Sequence, residues 1–113
     1  MEEPFKRVVW MGDSLAQVRE FSAPARQDAG YQLDRVQRGL DPRDWRPMKS
    51  VGPGAAEIRV HAGGEFRVVY LAKFRDAVYV LHAFSKKTQK TPLRDVVLAR
   101  ERYRILLQQE GRK

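Results

Sequence analysis

The period of the apolar positions switches between two and about three and a half along the chain, and each switch marks an element. Residues 5–10, FKRVVW, are a short run of β-formers and predict a strand, which Gly12 and Asp13 break. Residues 14–17, SLAQ, have the form of a capping box: Ser14 accepts from the backbone ahead and Gln17 reaches back. That predicts a short helix to about Phe21, with Leu15 and Val18 on one side. Ser22 is a second N-cap candidate, with Pro24 tolerated in the first turn. From there Ala25, Ala29, Leu33, Val36 and Leu40 recur at spacings of four, four, three and four, the stripe of a helix ending near Gly39. The two helices are expected to form an antiparallel hairpin.

Residues 41–54 carry three prolines and two glycines and predict a loop, with Trp45 and Met48 tucked onto the core. Beyond it the period falls to two. Ile58 and Val60 alternate with Glu57, Arg59 and His61, the pattern of a half-buried strand. Gly63-Gly64 turns the chain, residues 66–74 are the next strand, Arg75-Asp76 turns it again, and residues 77–84 are the third. These make an antiparallel meander. A last helix runs from Pro92 or Leu93 to about Gln109, with Val96, Ala99, Tyr103 and Leu106 on its core face and residues 110–113 frayed. The expected order is β-α-α-β-β-β-α: an α+β domain spanning 1–113, with an N-terminal helical hairpin and a C-terminal helix on an antiparallel sheet.

Composition narrows the chemistry. A chain of 113 residues with no internal repeat bounds one domain and one core. With no cysteine there is no disulfide framework, no Cys-ligated zinc and no thiol catalysis. Two histidines and no acidic cluster argue against a metal site, and no cofactor is expected. No apolar run is long enough to span a membrane and the acidic start MEEPFKR is no signal peptide, so a cytoplasmic protein is expected. No P-loop, nucleotide-binding glycine fingerprint or HExxH occurs, and nothing around Ser85 suggests a nucleophile elbow. The informative quantity is charge: 22 Lys and Arg against 14 Asp and Glu give +8 and a pI near 10.2. Nucleic acid, an anionic membrane or an acidic protein would each suit that excess.

The placement of the basic residues is more telling than their number. Arg59 and Arg67 flank the first hairpin on neighbouring strands, and Arg67 sits inside an apolar run. A guanidinium there is costly unless it meets a carboxylate or a bound anion. Lys86, Lys87 and Lys90 follow the third strand within HAFSKKTQKTP, residues 82–92, with no acid among them. If that strand end approaches the Arg59 strand across the central one, the five basic residues line one phosphate-binding concavity. Crowded lysines depress one another's pKa, so Lys86 or Lys87 is the candidate general base. His82 reads as a packed residue on the side of Val78, Val80 and Phe84, and His61 at the hairpin mouth as more exposed. Tyr70 and Tyr79 read as sheet aromatics, and Arg102 falls on the solvated side of the last helix.

EIRV, FRVVYLAKF, VYVLHAFSKKTQKTP and the helical LARERY together resemble the phage Gp49-like/HigB group of bacterial toxins, within the RelE/ParE superfamily of type II toxin–antitoxin modules. The resemblance runs from about Arg7 to Leu106 and is densest over residues 57–92. It implies a toxin that enters the ribosome and cuts mRNA by attack of a ribose 2′-OH on the adjacent phosphate, leaving a 2′,3′-cyclic phosphate and a 5′-OH. It also implies a helix-turn-helix antitoxin as partner, with ribosome and mRNA as targets and no membrane. On the family pattern Arg67 falls on a strand arginine, Arg59 near a basic position one strand earlier, and Lys86 and Lys87 on a basic pair after the last core strand. These four are the expected catalytic residues, with His61, Lys73 and Lys90 contacting RNA. A tyrosine that several ribonucleolytic relatives carry a few residues later is replaced here by Leu93 or absent. Two alternatives follow: a ParE-like inhibitor of DNA gyrase that cuts no RNA, and a non-toxic phage-derived nucleic-acid-binding protein.

Overall fold

The computed structural model describes residues 5–111. The elements are β1 (Arg7–Trp10), α1 (Ser14–Arg19), α2 (Ala23–Gln37), β2 (Trp45–Pro47), β3 (Ala55–His61), β4 (Glu65–Leu71), β5 (Ala77–Lys86) and α3 (Leu93–Gly111). The fold is α+β. The five strands form one sheet in the order β1-β5-β4-β3-β2. The β3-β4-β5 meander is antiparallel as its short turns require, whereas β1 joins the far edge parallel to β5. That parallel edge has no local signature, because the helices α1 and α2 separate the partners in sequence.

Helices cover both faces of the sheet. Val18, Phe21 and the Ala25-Ala29-Leu33-Val36 stripe pack on Ile58, Val60, Val68, Tyr70, Val78 and Val80. On the other face Val96, Ala99, Tyr103 and Leu106 of α3 pack on Ala55, Val69, Leu71, Tyr79 and Leu81. This explains why β4 and β5 read as nearly unbroken apolar runs: each successive side chain enters one core or the other.

Several local expectations are corrected. The N-cap of α1 is Asp13 and makes no side-chain cap bond. Ser14 lies inside the helix, fully buried, and donates instead to the Val80 carbonyl at 3.2 Å, while Gln17 donates to Asp13. A buried hydroxyl one strand away from an acceptor out-competes the local cap. The cap of α2 is as expected: Ser22 Oγ accepts from the Ala25 amide at 3.3 Å. That helix closes in a Schellman motif, with Gly39 at φ +83° and the amides of Gly39 and Leu40 bonded to the carbonyls of Val36 and Arg35. Leu40 is therefore past the helix and exposed, not part of its stripe.

Within residues 41–54, Trp45–Pro47 form β2 at the sheet edge, where a proline removes no needed ladder bond. Met48 is buried as expected; Trp45 stays 38% exposed. At the C-terminus, Glu110 is not frayed, because it accepts from the Tyr79 hydroxyl at 2.7 Å; residues 112–113 lie outside the described residues.

One irregularity decides where the site lies. Val69 opposes His82 while the next residue, Tyr70, opposes Val80, so Leu81 is an extra residue in β5. Val78 and Val80 face α1 and α2, but beyond the bulge His82, Phe84 and Lys86 fall on the α3 face. The expectation that His82 and Phe84 share a side with Val78 and Val80 fails for this reason.

Candidate functional site

Strand register builds a cationic cleft. Arg59 and Arg67 are direct cross-strand partners, so both leave the sheet on the same face. Arg67 opposes Phe84, and two residues on Lys86 opposes Glu65. β5 is longer than expected and carries Lys86 within its last rung. The result is an open cleft of about 550 Å³ lined by Arg59, Glu65, Arg67, Lys86, Lys87 and the Thr88-Gln89 turn. The four expected catalytic residues do come together there.

Arg67 is only 2% exposed. Its Nη1 donates to Glu65 at 3.0 Å and to the Phe66 carbonyl at 2.9 Å. Its Nε lies 3.7 Å from Oε1 of Glu57, itself a buried carboxylate. The guanidinium in the apolar strand is thus compensated by carboxylates already present. Yet the Nε atoms of both Arg59 and Arg67 are buried and have no hydrogen-bond partner among the described residues. Both atoms lie beneath the cleft surface, and that of Arg67 keeps its ion pair with Glu57, so it is the terminal parts of these side chains, with Lys86 and Lys87, that face the cleft.

The Lys86 ammonium has its pKa held below the usual lysine value, first by burial and then by the positive charge of Arg67, with Arg46 and Arg59 adding and Glu57 opposing. The cause is thus desolvation and then guanidinium repulsion, not crowding by other lysines.

The three residues expected to contact RNA stand differently. His61 is not part of the cleft lining but is bonded to it through Glu65: each ring nitrogen meets a carboxylate, Glu65 and Asp44, both at 2.7 Å. Those bonds, Glu65 first, raise its pKa and suit an imidazolium. Lys73 lies beyond the opposite end of β4 from Glu65, with its ammonium over the Phe74 ring, and does not join the cleft. Lys90 is exposed in the turn beyond Lys87, outside the cleft wall, and its carbonyl accepts from Thr88.

Sequence reasoning missed Glu57, Glu65 and Arg46. Glu57 ion-pairs with Arg46 (3.4 Å) as well as Arg67, and Thr91 donates to its other oxygen at 3.4 Å, tying the lysine turn's far end to the sheet. Its signal was available: Glu57 shares parity with Arg59 in AAEIRV and is flanked by apolar residues. Arg102 is a correction. Its side chain is 15% exposed and bonds the Leu81 carbonyl, His82 and Asp13, so it is not on a solvated side. Among the described residues, no group of three or more metal-ligating side chains gathers.

A small sheet thus carries helices on both faces and a cluster of cations at one end of the meander. The chain belongs to the phage derived protein Gp49-like family (DUF891), whose family model matches residues 16–104. That places it in the Gp49/HigB-like, RelE-type toxin group, and such a toxin has an antitoxin as partner. No curated protein matches the chain. No described helix is long and apolar enough to cross a membrane.

Proposed function

We propose that the protein is the toxin of a type II toxin–antitoxin pair and acts as an mRNA endoribonuclease on the ribosome. The observation that carries the reading is the convergence of Arg59, Arg67, Lys86 and Lys87 on one open cleft, with the pKa of Lys86 lowered. A phosphodiester in the cleft would meet this concentration of positive charge. As the ribose 2′-oxygen attacks phosphorus, charge grows on the non-bridging oxygens, and fixed cations stabilise it without reorganising. Neutral Lys86 takes the 2′-OH proton. The P–O5′ bond breaks, and the 5′-oxygen is protonated by solvent or by the Lys87 ammonium. The products are a 2′,3′-cyclic phosphate and a 5′-OH.

Primer extension on mRNA from cells expressing the protein without its antitoxin tests this. New cuts within reading frames, bearing 5′-OH ends, are expected; intact transcripts in arrested cells refute the nuclease reading. The second reading, gyrase inhibition, draws on Leu93, which is 74% exposed and offers no hydroxyl where some relatives place a tyrosine. DNA breaks and an SOS response preceding the loss of translation would favour it.

A further inference from the structure

We propose that Arg46 and Lys49 form a second anion subsite, which holds another phosphate of the same single-stranded RNA whose reacting phosphate lies in the main cleft. This rests on the RNA reading of that cleft. Arg46 opposes Glu57 in the β2-β3 register, so it leaves the same sheet face as Arg59 and Arg67. It belongs to an edge strand, and its side chain is 53% exposed. Nε is anchored 3.4 Å from Glu57, while its terminal nitrogens bond no other described residue.

The guanidinium overlooks a hollow of about 320 Å³, bounded by Arg46, Lys49, Ser50, Glu57 and Thr91 and separate from the main cleft. Glu57 connects the two, since Oε1 approaches both Arg46 and Arg67. One buried carboxylate therefore fixes two guanidiniums at a set separation, one turned into each depression. Its charge is already committed to them, which leaves the exposed Lys49 and the outer edge of Arg46 as net positive. A flexible polyanion with charges repeated along its backbone satisfies both depressions at once. The Arg fork and the lysine supply the usual phosphate donors.

The test is a salt series of dissociation constants for two fluorescent single-stranded RNAs, one of dinucleotide length and one several nucleotides longer. The proteins are wild type, Lys49→Ala, Arg46→Gln and the double variant. Lys49 is exposed, so its removal does not threaten folding, and Gln at 46 keeps a donor for Glu57. Each single variant should weaken the longer RNA and reduce the slope of log K on log salt by about 0.7, the double variant by about 1.4. The dinucleotide should bind Lys49→Ala as it binds wild type. Unchanged affinity and slope on the longer RNA overturn the subsite, and equal losses on both RNAs overturn its separateness. If wild type binds neither RNA at low salt, the RNA reading of the main cleft falls, and the subsite with it.

Discussion

Arg102 donates through Nη1 to Nδ1 of His82 at 3.1 Å, and this contact fixes the imidazole's tautomer. Arginine has no acceptor to offer, so Nδ1 carries the lone pair and the proton sits on Nε2, facing Asp95 at 2.7 Å. The same guanidinium reaches the Leu81 carbonyl and Asp13, joining α3 to the bulge of β5 and to the start of α1. It also lies over Gly12, where a Cβ would fall 2.4 Å from the guanidinium carbon.

Arg102→Ala is therefore a stability variant. It should lower unfolding free energy by about 1–3 kcal/mol, because a buried imidazole nitrogen and a carbonyl lose their donor. Urea denaturation reads the effect. The Asp13 part has a defined pH sense. The hydrogen bond from Arg102 leads the causes that hold the Asp13 pKa below 3.8, so its contribution is present above that value and is lost as pH falls through the lowered one.

Arg67→Ala should cost about 3–5 kcal/mol, since it leaves the buried Glu57 carboxylate without its inner partner. Loss of toxicity in that variant thus mixes folding with chemistry. Arg67→Lys keeps the charge and should retain more stability while losing activity, because an ammonium cannot reproduce the fork. Thermal melts beside toxicity assays separate the two effects, and equal activity of Arg67→Lys and wild type would remove Arg67 from the chemistry.

Lys86→Ala should reduce RNA cleavage by about 10²–10³-fold, comparable to losing one transition-state donor. Its melting temperature should stay close to wild type, since Lys86 ends a strand. As a base of lowered pKa, Lys86 predicts a wild-type rate that rises with pH and levels off below the ordinary lysine value of 10.5. Lys86→Arg keeps the charge but not the titration, and should flatten that limb. A Lys86→Arg profile overlaying wild type would assign the base elsewhere.

The His61 tie predicts a stability window. His61 is raised above 6.5 when folded, so its contribution is complete below 6.5 and is lost as pH rises through the raised value. Glu65 is lowered below 4.5, chiefly by His61, so its contribution is present above 4.5 and is lost as pH falls through the lowered value. The stability difference between wild type and His61→Gln should accordingly be largest between those limits and shrink on the alkaline side. Chemical denaturation across pH measures it; a difference that grows above neutral pH contradicts the tie.

The meander, α2 and α3 were legible because each rests on local period and turn chemistry: the Ala25-to-Val36 stripe, Gly63-Gly64, and the Val96-to-Leu106 face. The meeting of Arg59, Arg67, Lys86 and Lys87 was legible too, from hairpin pairing. The rest depended on distant partners. β2 is three residues that are strand only because β3 offers an edge. Ser14 and Arg102 are read wrongly from sequence because their acceptors, Val80 and His82, are far away in the chain. Glu65 and His61 were separable as charged residues, but their mutual engagement needed the hairpin's geometry.

The extra residue at Leu81 makes β5 a strand in which counting matters more than identity. Many side chains of similar bulk could stand at 81 and leave the lysines where they are. Deleting one residue there, or adding one between 81 and 86, would invert the parity of everything downstream and send Lys86 toward the α1-α2 side, away from Arg67. Among diverged copies of this chain, substitutions can accumulate in β5, whereas a change of length in it uncouples the lysine turn from the arginines in one event.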